Sequence, residues 1–196
     1  IDLARQRAGA VQGNHDAAVV RGAAPGMRPD ARYVIEWTRS RLSAEQIAFL
    51  DSLPLSVTDG DRLYVHANAW HPPGWEYVAG RSDAMRSMMA TDCRCSLHGH
   101  MHGPRLYNLS STGKIGDFVP TAGVAIPVPP HRQWLVVPGS AGQPRDGNPA
   151  ACYAVFDDAA GTLTYHRVPY DHDATGAKIL AANLPQRLAS RLEDGQ

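Results

Sequence analysis

Apolar positions recur along the chain with a helical period at its two ends and a strand-like pattern between them. Leu3, Arg5 and Arg7 read as the end of a helix closed by Gly9. Ala10-Val11-Gln12 is a short apolar run, predicted as a strand. It leads into the polar loop Gly13-Asn14-His15-Asp16. Residues 21–28 are rich in Gly, Ala and Pro and read as a connector. Two helices follow. Asp30 is the expected cap of a helix carrying Tyr33, Ile35 and Trp37. Ser43 is the expected cap of one carrying Ile47, Phe49 and Leu50, stopped by Pro54. Residues 55–58 and 62–66 form a predicted strand pair joined by Asp59-Gly60-Asp61, a strong turn signal.

Residues 82–90 suit a helix and 93–97 a short strand. Further on, 118–128, 133–137, 151–156 and 162–168 hold β-branched and aromatic residues among Gly and Pro, and are expected to be mostly strand. The helical period returns after Tyr170. Ile179, Leu180, Leu184, Leu188 and Leu192 are spaced for one apolar face, with Pro185 opening the last helix. No repeat or low-complexity segment interrupts this order.

Composition adds bounds. The 196 residues suffice for one domain with a sizeable core, and the expectation is a single domain over 1–196. The formal net charge is zero, so no global field draws the chain to nucleic acid or an anionic membrane. Neither partner is expected. No apolar run approaches the ~18 residues of a membrane span, and the expected location is cytoplasmic. The three cysteines, Cys93, Cys95 and Cys152, do not suggest a disulfide framework. Cys93 and Cys95 either bind a soft metal or are two strand residues on one face.

Candidate chemistry lies in three loops, each after a predicted strand: Gly13-Asn14-His15-Asp16, His66, and Gly99-His100-Met101-His102. Strand ends are where rigid backbone meets a solvent cleft. Imidazoles with an Asn carbonyl make a mixed N/O donor set suited to manganese, iron, zinc or similar ions. A single histidine at a strand end is usually solvated or capping, the reading given to His71, His131, His166 and His172. His98 is in phase with His100 and His102 and either packs or joins them.

Gly-Asn-His-Asp, a Val-His pair ending a strand, and Gly-His-x-His, in this order, resemble the last three of five motifs of the calcineurin-like metallophosphoesterases. Trp37-Thr38 into Leu42-Ser43, Leu53-Pro54, residues 137–145, and Val168-Pro169-Tyr170-Asp171 before Leu184-Pro185 are similar to a small bacterial subgroup. Its members are often labelled serine/threonine phosphatases or diadenosine-tetraphosphatase relatives. The resemblance implies an α/β fold: a four-layer α/β/β/α sandwich of two mixed sheets flanked by helices. It implies a phosphoesterase that hydrolyses a phosphomonoester or phosphodiester with two divalent ions (Mn, Fe, Zn or Ni), by in-line attack of a metal-bridging hydroxide. Asn14, His66 and His100 would ligate one ion and His102 the other. His15 would be the acid at the leaving group, oriented by Asp16. Arg145 either pairs with substrate phosphate or holds its own turn against Asp146 or Asp157. The partner implied is a small phosphorylated molecule or a phosphoprotein. The segment from Trp70 to Trp75 either lines the pocket or packs as a loop.

The family's Asp-x-His and Gly-Asp motifs do not occur in the twelve residues before Gly13. The expectation is an N-terminally incomplete domain lacking strands, which alone binds metal poorly and hydrolyses little. The alternative is a non-catalytic metal-binding or scaffold protein of the same fold that has lost the first metal site.

Overall fold

The computed structural model describes Ile1 and residues 9–196. The helix expected over the first nine residues lies outside the described residues. Three helices come first: α1 (Asn14–Arg21), α2 (Pro29–Arg41) and α3 (Ala44–Ser52). Ser43 caps α3 as expected, its hydroxyl accepting from the Gln46 N–H at 3.2 Å while Gln46 Oε1 accepts from the Ser43 N–H. Asp30 falls inside α2 and Pro29 occupies its first turn. Ala18, Val19, Ile35 and Leu50 bury one another where the three helices meet.

Two sheets follow, flanked by helices as expected. The larger has six strands in the order β1-β2-β3-β7-β4-β5. They are β1 (Ser56–Asp59), β2 (Arg62–Val65), β3 (Cys95–His98), β4 (Arg105–Ser110), β5 (Ile115–Phe118) and β7 (Arg132–Val137). This sheet is mixed: β2–β3 and β3–β7 are parallel, the other pairs antiparallel. The smaller holds β6 (Ala125–Pro127), β9 (Thr162–Val168) and β8 (Ala151–Asp157), all antiparallel.

Alternation along the strands builds the layers. Leu106 of β4 and Trp134 and Val136 of β7 face Cys152, Leu163 and Tyr165 of the smaller sheet. Tyr107, Leu109, Leu135 and Val137 point the other way, against Ala84 and Met88 of α4 (Arg81–Met89). The Tyr165 hydroxyl donates to the Arg105 carbonyl at 3.0 Å and ties the sheets together. The chain ends in α5 (His172–Ala181) and α6 (Gln186–Asp194).

Several expectations fail for identifiable reasons. Residues 10–12 do not join a sheet. The Gln12 N–H bonds the Pro54 carbonyl and its side-chain amide bonds the Leu50 carbonyl, both at 2.8 Å. Asn14-His15-Asp16 is not a loop but the first turn of α1, because the Asp16 carboxylate accepts the Gly13 N–H at 2.8 Å. Strands β4 and β5 were not expected. Leu106, Tyr107 and Leu109 are buried on opposite faces, which spoils the alternation that marks a half-buried strand. Of the 118–128 segment only Phe118, the end of β5, and Ala125–Pro127 are strand. The last helix opens after Pro185 as expected, past a break at Asn183 with φ of 56°, but Leu180 departs from the single apolar face and is 49% exposed. Cys93 precedes β3, while Cys95 lies within it, buried between the sheets. Burial pushes the Cys95 thiol up to about 12, so it stays protonated near neutral pH.

Candidate metal centre

The register of the large sheet decides what meets at its edge. In the parallel β2–β3 pair Val65 stands opposite His98. The residues leaving the two strands, His66 and the Gly99-His100 loop, therefore emerge side by side. The start of α1 brings Asn14 to the same place. His66 Nε2 lies 2.9 Å from Asn14 Oδ1 and 3.2 Å from His100 Nδ1.

One hydrogen on His66 Nε2 cannot serve both neighbours. With His66 Nε2 and His100 Nδ1 both free of hydrogen, three lone-pair atoms face one another, an arrangement that a cation resolves. Ligands held at about 2.1 Å and near right angles to one another stand about 3 Å apart, close to the spacing seen. The residues present thus fit one divalent ion. Among the described residues no group of three His, Cys, Asp or Glu forms such a cluster, so the trio depends on the Asn carbonyl oxygen.

Two glycines make room for the His66 ring. A Cβ on Gly13 would come within 3.1 Å of His66 Nδ1 and Cε1, and one on Gly99 within 3.4 Å of Nδ1. His100 and His102 both hold a left-handed backbone, with φ of 63°, a conformation uncommon outside glycine. His102 donates Nδ1–H to the Gln143 carbonyl at 2.7 Å. This fixes its tautomer and leaves Nε2 with a free lone pair, the usual support for a ligating imidazole. His98 is buried and donates Nδ1–H to the Ala67 carbonyl at 2.9 Å, holding β3 to the loop after β2.

The electrostatics suit neutral donors. Burial, with the nearby His102 and His15, pushes His66 down to about 4. Burial, then His66, pushes His100 to the same level. His102 is lowered mainly by burial. His15 is lowered first by burial, against the pull of Asp16 and with the help of Arg145. The Asp16 carboxylate bonds the Gly13 N–H, so its hold on His15 acts through charge.

Tyr77 carries no sequence signal, whereas Trp75 ends the aromatic segment that the sequence marks. Tyr77 stacks on His100 with ring centroids 4.0 Å apart, and Trp75 meets His66 edge-on at 5.8 Å. Asn68 holds this loop down: its amide donates to the Glu76 carbonyl and its carbonyl accepts the His71 N–H. The aromatic loop after His66 therefore packs against the histidines as a wall. Gly99 stands in the Gly-His motif, but its role as space for His66 shows only in three dimensions.

Arg145 is bonded to neither Asp146 nor Asp157. Its guanidinium donates to Gln143 Oε1 at 3.1 Å, Asp146 pairs with Arg167, and Asp157 accepts the Ala160 N–H. Arg145 lies near enough to depress His15, His100 and His102. A cleft of about 600 Å³ opens from Asn14 and His15, passes Arg145 and Tyr77, and reaches α2, α5 and α6. No helix among the described residues is long and apolar enough to cross a membrane.

The chain is similar to known proteins. The chain is 31% identical over 187 residues to the uncharacterized protein MJ0912 of Methanocaldococcus jannaschii, covering 93% of this chain and 73% of that protein. The crystal structure of a metallophosphoesterase from Sphaerobacter thermophilus superposes with a TM-score of 0.86 at 35% identity. The match covers all of this chain and 80% of that one. A hypothetical protein PH1004 from Pyrococcus horikoshii shares the fold, with a TM-score of 0.74 at 17% identity, over 100% of this chain and 76% of the other. The model of the calcineurin-like phosphoesterase superfamily domain matches residues 2–160. The chain belongs to the calcineurin-like phosphoesterase superfamily.

Proposed function

We propose that the chain carries one half of the active site of a metal-dependent phosphoesterase that uses two divalent ions, manganese being the first to test. The observation that supports this best is the convergence of Asn14 Oδ1, His66 Nε2 and His100 Nδ1 within 2.9 and 3.2 Å. These three would hold one ion. His102, oriented by the Gln143 carbonyl, would serve the other. Bound ions would supply charge neutralisation at the phosphoryl oxygens and a water of lowered pKa.

The chain's own residues do the rest. Neutral His66 and His100 keep their lone pairs available for the ion. Tyr77 and Trp75 cover the ligating rings on one side and exclude water there. His15 stands beside Asn14 at the cleft mouth and delivers a proton to the departing oxygen. A substrate anion beside it adds to the pull of Asp16 on that proton. The substrate is a phosphomonoester or phosphodiester.

The test is hydrolysis of p-nitrophenyl phosphate and bis-p-nitrophenyl phosphate by the full-length natural protein, with manganese and with chelator. Release of nitrophenolate that needs the metal is the expected result. Stoichiometric metal binding with no hydrolysis of either ester would favour a non-catalytic metal-binding protein.

A further inference from the structure

The cleft leading away from His15 has an unbalanced charge. Among its described lining residues are four guanidiniums (Arg28, Arg145, Arg187 and Arg191) and one carboxylate, Asp30. Arg28 and Arg187 share Asp30, at 3.2 and 3.4 Å. The other two pair with no Asp or Glu: Arg145 donates to Gln143 Oε1 at 3.1 Å, and Arg191 Nε to the main-chain oxygen of Gln196 at 2.6 Å. These cations crowd one another. Arg191 is held below its usual range, first by burial and then by Arg145, Arg187 and Arg28. Concentrating like charges in a concave site is unfavourable unless an anion answers them. Guanidinium forks match phosphate oxygens bidentately.

The floor of the cleft is different in character. Ile179, Leu184 and Leu188, from α5, the turn after it and α6, are apolar. The cleft thus offers a metal-ligand end at Asn14 and His15, an apolar stretch, and a cationic flank that includes Arg145 and Arg191.

We propose that this cleft receives the leaving group of the substrate, and that the leaving group carries a second phosphate on an apolar spacer, bound by Arg145 and Arg191. The substrate class is then a bisphosphorylated organic ester, one phosphate placed for cleavage and the other for recognition. This rests on the phosphoesterase reading above, which supplies the first phosphate's place.

The test compares two ligands that differ only in the second phosphate, hexyl phosphate and hexanediol bisphosphate. Each is titrated calorimetrically into the manganese-loaded full-length protein. Hexanediol bisphosphate should bind at least about tenfold more tightly, the scale of one added charge-assisted contact. In Arg145→Gln and Arg191→Gln the ratio should fall toward one, while Arg191→Lys keeps part of it. Equal affinities in the wild-type protein, or a ratio unchanged in both glutamine variants, would overturn the proposal. Absence of nitrophenolate release is a separate failure, of the phosphoesterase reading, since the affinity ratio reads the cleft without turnover.

Discussion

His66 Nε2 stands 2.9 Å from Asn14 Oδ1 across 52 residues of sequence. The contact joins the end of β2 to the start of α1, and with His100 Nδ1 it completes a set of three donors. If these three share an ion, Asn14→Ala and His100→Ala should each lose one equivalent of metal from the full-length protein. Each should also lower the affinity at that position by about tenfold or more. Elemental analysis after gel filtration reads this directly. Full metal content in both variants would sink the assignment.

Gly13 offers a finer probe. Its φ of −99° is open to any residue, so Gly13→Ala brings no backbone strain. The added methyl would sit 3.1 Å from the His66 ring, and the ring must yield by a few tenths of an ångström. Metal affinity should fall while the melting temperature holds. A melting temperature that drops with unchanged metal binding would show that the glycine serves folding alone.

His15 lies beside the donor set without belonging to it. His15→Ala should leave metal content near wild type and lower kcat by about 10²–10⁴-fold, the usual contribution of general acid catalysis. Loss of metal with kcat per bound metal unchanged would contradict its role as proton donor.

Burial raises the Cys95 thiol to about 12 and lifts the Tyr165 phenol above its usual range as well. The folded chain therefore keeps protons that the unfolded chain releases from pH about 9 upward. The stability these groups give is fully present below that pH and is lost as pH rises toward their folded values. Urea midpoints should fall above pH 9, and less steeply in Cys95→Ser. In native protein at pH 8, iodoacetamide should reach Cys93 well before Cys95, because only Cys93 is partly exposed.

What could be read from the sequence follows from what is local. Ser43 with Gln46 reads as a helix start because capping is settled within four residues. Asp59-Gly60-Asp61 reads as a hairpin for the same reason, and the pairing of β1 with β2 has that register. Strand β4 did not read, because its two covered faces erase the alternation that marks a strand. The turn at Asn14 reads as a loop because its cap is a carboxylate reaching back three residues to a glycine N–H. At the site, Asn14, His66 and His100 were legible through their order in the chain. Tyr77, Gly99 as packing space, and the arginines of α6 were not. Their part depends on which distant elements meet, and that is decided by packing.

The left-handed backbone at His100 and His102 has a thermodynamic consequence. Each such residue costs about 1–3 kcal/mol unless its surroundings compensate, and here the two bracket Met101 in one short turn. An ion bound by His100 would hold the turn closed from outside the backbone, so its binding energy and the loop's conformational cost share a single equilibrium. Protein stripped of metal should exchange the amide hydrogens of residues 99–103 faster than those of the adjoining β3. Adding manganese should slow them again, with a concentration dependence that follows RT ln(1 + [L]/Kd). The loop would then act as a latch whose closure reports the occupancy of the site.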